Sequence, residues 1–421
     1  MKKDITALSK KVTKLVIVLF LLSFLILNYN VTAQDAGGGF NLAIKHTGVG
    51  FGNSKKFNGV RFNYRDRNVE KVNGINVTLW SPYDFDEGIQ SKITGIAIGL
   101  PLTGAKNIRG IAVGGGVGAT ESMYGINIGA LGAGAGRNVG GINFGGLGLG
   151  AGKNLSGVNI GGLGVGAGNN VTGINFGGLG LGAGNKVAGV NIAGLGLGAG
   201  EELFGINVAG LGLGSGGKVT GINATLGGIG AGKQLSGITV AGLAAGSGGK
   251  IKGITVGGLS VAAGSSITGI SASAIAIASG GNITGLNMAG IAVAAGDNVS
   301  GINIGGVAVA AGDRVIGINV AGIAIGARKV SGLSASAVIG GKHLTGVHIA
   351  PAYLRVVDNG TMRGLAISAF NHIKGTQKGV TIGVFNYARK LKGFQIGLLN
   401  YVKENPLLLR LMPIMNFSFK D

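Results

Sequence analysis

A glycine returns every sixteen residues at positions 125, 141, 157, 173, 189, 205, 221, 237, 253, 269, 285, 301 and 317. A fixed period this short means one small unit repeated, and units that cannot bury a face alone bury it against their neighbours. Looser copies flank the array at mostly fourteen- to fifteen-residue spacing: Gly59, Gly74, Gly95 and Gly110 before it, then Gly332, Gly346, Gly364, Gly379 and Gly393 after it. Helix is a poor host for this period, because glycine at nearly every second position costs about 1 kcal/mol each relative to alanine. Collagen is excluded by scarce proline, 5 residues in all, and by the absence of a glycine at every third place. The chain is 46% hydrophobic and only 12% charged, the reverse of a disordered composition.

Within a unit the columns are consistent. Counting the periodic glycine as the first position, the second is Ile, Val or Leu and the fourth is bulky and apolar, as in Val158 and Ile160 or Ile174 and Phe176. Asn fills the third, as in Asn143, Asn159, Asn175 and Asn191, with Thr239, Thr255 and Ser271 later. This is strand alternation, and it predicts the apolar residues inside and the small polar ones outside. The parity then slips. After the glycine pair the apolar positions are the seventh and ninth, as in Leu147 and Leu149, so the chain must turn or bulge there. A further apolar column stands at position fifteen: Leu155, Val171, Val187, Leu203. Three short apolar stations separated by corners describe one coil of a parallel β-solenoid of about fifteen to sixteen residues per coil, with amide ladders expected along its outside. Around twenty coils at about 4.8 Å each would make a rod on the order of 100 Å long. The alternative is an antiparallel outer-membrane β-barrel, whose strands of nine to eleven residues plus a turn give a similar period. The parity slip in every copy, and turns that look alike in every copy, favour the solenoid.

The ends differ in texture. Residues 1–33 read as a secretory signal: Lys10, Lys11 and Lys14 precede an apolar run from Leu15 to Leu27, and Val31 to Ala33 fits a cleavage site before Gln34. Residues 34–94 form an N-terminal cap region holding the single tryptophan, Trp80, and the alternating segment "GVRFNYRDR", which predicts Val60, Phe62 and Tyr64 buried opposite Arg61, Asn63 and Arg65. Residues 95–345 carry the array, and 346–421 the C-terminal repeats and closing cap, where Pro406 and Pro413 oppose further strand growth. With no cysteine, an exported chain must rely on packing alone.

The stretches "GINVTLWSPYDFDEG" and "GIAIGLPLTGA", the array itself and the ending "GVTIGVFNYARKLKGFQIGLLNYVKENP" together resemble an uncharacterised family of exported glycine-rich surface-repeat proteins of Gram-negative bacteria. The resemblance implies a location at the cell surface or outer membrane. It implies no activity and assigns no functional residue.

Chemistry-bearing motifs are sparse. "GGIGAGKQ" mimics a phosphate-binding loop, but Gln234 stands where Ser or Thr should hold Mg²⁺ and no helix pattern follows. His46, His343, His348 and His372 lack cysteine or clustered carboxylates at ligand spacing, so no metal site is predicted; His348 occupies the Asn column and is expected at the surface. Asp84, Asp86 and Glu87 form one acidic knot without EF-hand spacing. Ser and Thr have no paired base. No catalytic residue and no cofactor are expected.

The cations are the stronger signal. Formal net charge is +21, and +17 without residues 1–33. Arg137, Lys153, Lys186, Lys218, Lys233, Lys250 and Arg314 fall at one corner of the unit and would form a dotted basic line. Such a line suits lipopolysaccharide phosphates or another anionic envelope polymer. Nucleic acid is not expected, since the array has almost no aromatics for stacking. The expectation is a non-enzymatic envelope or surface scaffold, structural or adhesive, with an outer-membrane barrel or pore and an anionic-glycan binder as alternatives; membrane association is compatible with all of them.

Overall fold

The computed structural model describes residues 39–82 and 90–419, which fall into two compact units meeting in sequence between Gly178 and Leu179. Each unit is a parallel β-solenoid. One coil illustrates both: an eight-residue strand, Asn154–Gly161, a corner at Gly162 and Leu163, a four-residue strand, Gly164–Ala167, and a second corner at Gly168 and Asn169. The next long strand, Asn170–Gly177, lies parallel to the first, Gly173 against Gly157 and Asn175 against Asn159, a shift of one unit. Lys186–Ala193 and Glu202–Ala209 repeat this register in the second unit. Among the described residues, antiparallel strand pairs stand only at the ends: Gly39–Ile44 with Thr47–Gly52, and Leu411–Ser418 with residues 393–401. Copies joined as hairpins around a lumen are what a barrel requires, so the barrel alternative falls.

The corners are made of glycine. Gly157, within the long strand, has φ +102°. A Cβ built on it would fall on the carbonyl oxygen of Gly141, one coil away. The same overlap recurs at the two corners between strands, where a Cβ on Gly162 or Gly168 would strike the carbonyl oxygen of Gly146 or Gly152. Coils therefore stack backbone on backbone at each corner, which a side chain would prevent.

The expected apolar columns at positions nine and fifteen, Leu149 and Leu155 among them, are buried, but at positions two to four the parity is the reverse of that predicted from hydrophobicity. Leu155 is fully buried, and alternation along its strand carries Asn159 inward too, at 0% exposure. Ile160 and Leu163 point outward. The core of a coil is thus two aliphatic columns, Leu155 and Val165 with their equivalents, and a third column of asparagine. The same reversal holds in the N-terminal region, where Arg61 and Asn63 are buried while Phe62 and Tyr64 are exposed. The prediction failed because it treated residues 157–161 as a separate strand and chose their inner face by hydrophobicity. In the fold they continue the strand that Leu155 anchors, and period-two geometry fixes the rest.

Buried asparagine is tolerated because stacking satisfies it. Nδ2 of Asn127 donates to Oδ1 of Asn143 at 2.7 Å, Asn143 to Asn159 at 2.8 Å, and Asn159 to Asn175 at 2.7 Å. In the second unit Asn191, Asn207 and Asn223 form a like run, and Asn287, Asn303 and Asn319 another. The amide ladder expected outside is real but runs through the interior, where the low dielectric strengthens each bond. A shorter outer ladder joins Asn138, Asn154 and Asn170 at the polar corner.

The second unit closes on a strand, Val338–Val402, that winds through the last coils, followed by a 3-10 turn at Leu407–Leu409 and the antiparallel strand Leu411–Ser418. Pro413 sits in that final strand opposite Leu399.

Candidate functional site

The inward columns are sealed, so whatever the array does is done by its outward residues. These divide the coil into an apolar side and a polar side. Positions two, four and seven project Ile, Val, Phe and Leu, as Ile142, Phe144 and Leu147 do in the first unit. In the second unit the fourth-position column is continuous through register pairs from Ile192 to Val208, and again from Met288 through Ile304 to Val320. Scattered exposed apolar residues are ordinary, but contiguous columns of them are what interaction surfaces present. This face was not predicted, because the inverted parity had placed those side chains in the core.

The polar side carries the predicted basic corner. Arg137 and Lys153 lie on consecutive coils of the first unit, the Lys153 amide donating to the Arg137 carbonyl at 2.7 Å. In the second unit Lys186, Glu202, Lys218, Gln234 and Lys250 stand in one register column. Lys233 lines a shallow depression with Lys218, Glu201 and Glu202, and Arg314 stands opposite Asn298 in the continuation of the column. The corner therefore collects all seven predicted cations, unit by unit. It is not a bare cationic stripe. Lys186 pairs with Glu202 at 2.8 Å, Arg137 reaches Glu121 at 4.0 Å, and Asp313 holds both Arg314 and Arg328 at 3.1 and 3.0 Å. Glu121 lies below its ordinary pKa because Asn107 donates to it and Lys106 and Arg137 stand near; Asp313 does so because of the hydrogen bond from Arg314 and the charge of Arg328. Exposed pairs of this kind add little to stability, because solvent and salt screen them. Their consequence is a lowered positive potential at the coils that carry an acid.

The phosphate-loop mimic resolves into a short strand, Gly228–Ala231, a corner at Gly232 and Lys233, and the strand that begins at Gln234. Among the described residues no three of His, Cys, Asp and Glu converge as a metal site would require. The acidic knot at Asp84, Asp86 and Glu87 lies outside the described residues, as does the whole 1–33 signal segment.

His348 corrects another expectation. It is fully buried, because the Asn column it occupies points inward. Neither ring nitrogen has a well-formed hydrogen bond, the Thr345 backbone offering only a poorly aligned one. Burial pushes its pKa down to about 4, against a small upward pull from the Thr345 backbone, so the imidazole is neutral at ordinary pH. His372 is different: its Nδ1 lies 2.8 Å from the Tyr353 hydroxyl, and its ring stacks on Phe370 at 5.2 Å. Comparison with family models, curated proteins and solved structures finds no match to this chain.

Proposed function

We propose that this protein is an exported, non-enzymatic scaffold of the cell envelope, presenting a repeated outer surface rather than a single reactive pocket. The observation that supports this reading best is the register itself. Coils stacked one unit apart bring equivalent positions to the same place on coil after coil, so that Lys186, Lys218 and Lys250 share one column with Glu202 and Gln234 between them. An enzyme concentrates unlike groups at one point, whereas this architecture spreads like groups along a line. The exposed apolar columns fit a surface that works only when covered, and the basic segment and apolar run within residues 1–33 fit export. Capture of anionic envelope polymers by the corner is the narrower version of the same role.

The test is where the chain resides. An epitope inserted at the exposed corner Gly296–Asp297 should be found in the envelope fraction, on a chain whose first residue is Gln34. Recovery from the cytosol with residues 1–33 still attached would reject the reading.

A further inference from the structure

The C-terminal coils of the second unit add something the array lacks. Along one coil the outward side chains run Ile382 and Val384, then Phe385, then Tyr387, then Arg389, while Asn386 and Ala388 between them are buried. The preceding coil repeats the last three steps as Phe370, His372 and Lys374. The following coil repeats them as Leu399, Tyr401 and Lys403. The columns are in contact: Phe370 meets Phe385 at 5.0 Å, His372 meets Tyr387 at 5.2 Å, and Tyr387 stacks on Tyr401 at 5.5 Å. The result is a lateral gradient, repeated three times, from aliphatic through amphipathic aromatic to cationic. Beside it lies a shallow apolar groove lined by Ile367, Ile382, Val384, Ile396, Leu398 and Ile414. Val384 is 54% and Leu398 69% exposed.

That order has a physical counterpart. At a bilayer surface, acyl chains give way to the headgroup boundary, where Tyr and similar rings collect, and then to phosphate. The spacing also fits. Four residues of strand separate Phe385 from Arg389, about 13 Å at about 3.3 Å per residue. An interfacial element sinks its apolar face about 5–10 Å below the headgroups. Charge points the same way, since residues 346–419 hold nine Lys and Arg against two acids. Both acids stand in the rim: Asp358 is 4.0 Å from Lys374, and Glu404 is 2.9 Å from Arg389. In the rim they pair with Lys374 and Arg389, and Lys403 adds a third cation, so the rim keeps a modest net positive charge. A second copy packed on this face would bring two cationic rims together, which opposes self-association.

We propose that this face of the second unit docks onto a bilayer leaflet bearing anionic headgroups, lying in the interface without crossing it. The proposal rests on the envelope reading and names the partner of the scaffold.

Vesicle flotation of the exported chain tests it, with phosphatidylcholine vesicles containing or lacking phosphatidylglycerol. The native chain floats with the anionic vesicles. The exposed pair Val384→Asn and Leu398→Asn lowers partitioning by about tenfold or more at an unchanged melting temperature. Lys374→Gln, Arg389→Gln and Lys403→Gln together remove the loss of binding that rising salt causes in the native chain. Because the chain has no cysteine, Leu398→Cys takes a single environment-sensitive fluorophore, which shifts blue on vesicles while the same probe at Lys250→Cys does not. A native chain that stays unbound, variants that bind like it, or a solution dimer that the asparagine pair dissociates would overturn the proposal. Loss of vesicle binding by a chain still found in the envelope defeats only the docking surface; a cytosolic chain defeats the scaffold reading itself.

Discussion

The guanidinium of Arg61 donates from one terminal nitrogen to Oδ1 of Asn76, one coil on, at 2.7 Å, taking in the first unit the place that asparagine holds in the array. The same nitrogen bonds the Asp66 carboxylate, and both partners of this ion pair are buried. Asn63, Asn76 and Thr78 donate to the same carboxylate. Burial alone would raise the Asp66 pKa, but the Arg61 charge and these three bonds outweigh it and hold it below its ordinary value. Asp66→Asn leaves Arg61 buried without its counter-charge and costs about 3–5 kcal/mol, read from the denaturant midpoint. A carboxyl depressed in the folded state lends stability above its unfolded pKa and loses it as pH falls through the folded one. The native chain therefore loses this contribution only below about pH 4, near the ordinary carboxylate value, and the variant shows no such step.

Asn159 sits mid-ladder, accepting from Asn143 and donating to Asn175. Replacing it with Ala removes both ladder bonds and leaves the Asn143 donor only its 3.4 Å contact with the Ser156 carbonyl, at a cost of about 2–4 kcal/mol. Asn159→Asp keeps the acceptor but loses the donor and buries a charge, so it is the worse of the two. Chemical denaturation of both variants gives the order, and an Asp variant as stable as the Ala variant contradicts an interior ladder.

The ladder ends make a complementary prediction. Oδ1 of Asn127 and Oδ1 of Asn287, each the first of a run, lack donors, and Nδ2 of Asn319, the last of one, lacks an acceptor. Ser334 follows Asn319 in register and His348 follows Ser334. Ser334→Asn offers Asn319 an acceptor and the His348 ring a donor. The expected gain is about 1–2 kcal/mol, visible as a raised melting temperature; a lowered one shows that the extra volume does not fit.

Two glycines in neighbouring coils should behave oppositely. Gly157 has positive φ and a neighbouring carbonyl oxygen where its Cβ would go, so Gly157→Ala is expected to cost several kcal/mol, beyond the ~1 kcal/mol scale of entropy effects. Gly148 has open space around its missing Cβ. Its register equivalents later in the chain include Ala244, Ala276, Ala292 and Ala308. Gly148→Ala should be neutral or stabilise by about 0.4–1 kcal/mol, through the unfolded chain. Thermal melts of the pair decide whether glycine is needed by column or merely by composition.

These contrasts show what the sequence made legible. The sixteen-residue period, the corner at the glycine doublet and the polar corner at residues such as Lys153 and Asn154 follow from spacing alone, because stacking repeats whatever the period dictates. The inside of the coil followed only in part: the columns of Leu149 and Leu155 are buried as expected, but the third inner column is asparagine. Hydrophobicity puts Ile160 in the core and Asn159 outside, and it knows nothing of the hydrogen bonds that stacking gives Asn159 or of the strand that Leu155 orients. The basic corner was visible because charges cluster in two adjacent columns; the acids Glu121, Glu202 and Asp313 that partly neutralise it pair through the fold and fall out of the count of cations. The apolar outer face was hidden by the same inverted parity, and His348 was misplaced with it.

His348 turns that parity into a pH measurement. A histidine whose folded pKa is about 4 and whose unfolded value is 6.5 stays neutral in the folded chain while the unfolded chain takes up a proton. Above pH 6.5 neither state is protonated and nothing is lost. Between 6.5 and 4 the unfolded state binds more protons, so stability falls as pH falls, by about 3 kcal/mol over the interval at about 1.4 kcal/mol per pH unit. His343 and His372 are pushed the same way, chiefly by burial and then by neighbouring cations, so some slope remains without His348. His348→Asn restores the residue that other coils carry in this column and should flatten most of the slope in urea denaturation followed from pH 7 to pH 4. A variant with the native slope would place His348 at the surface, and with it the whole column.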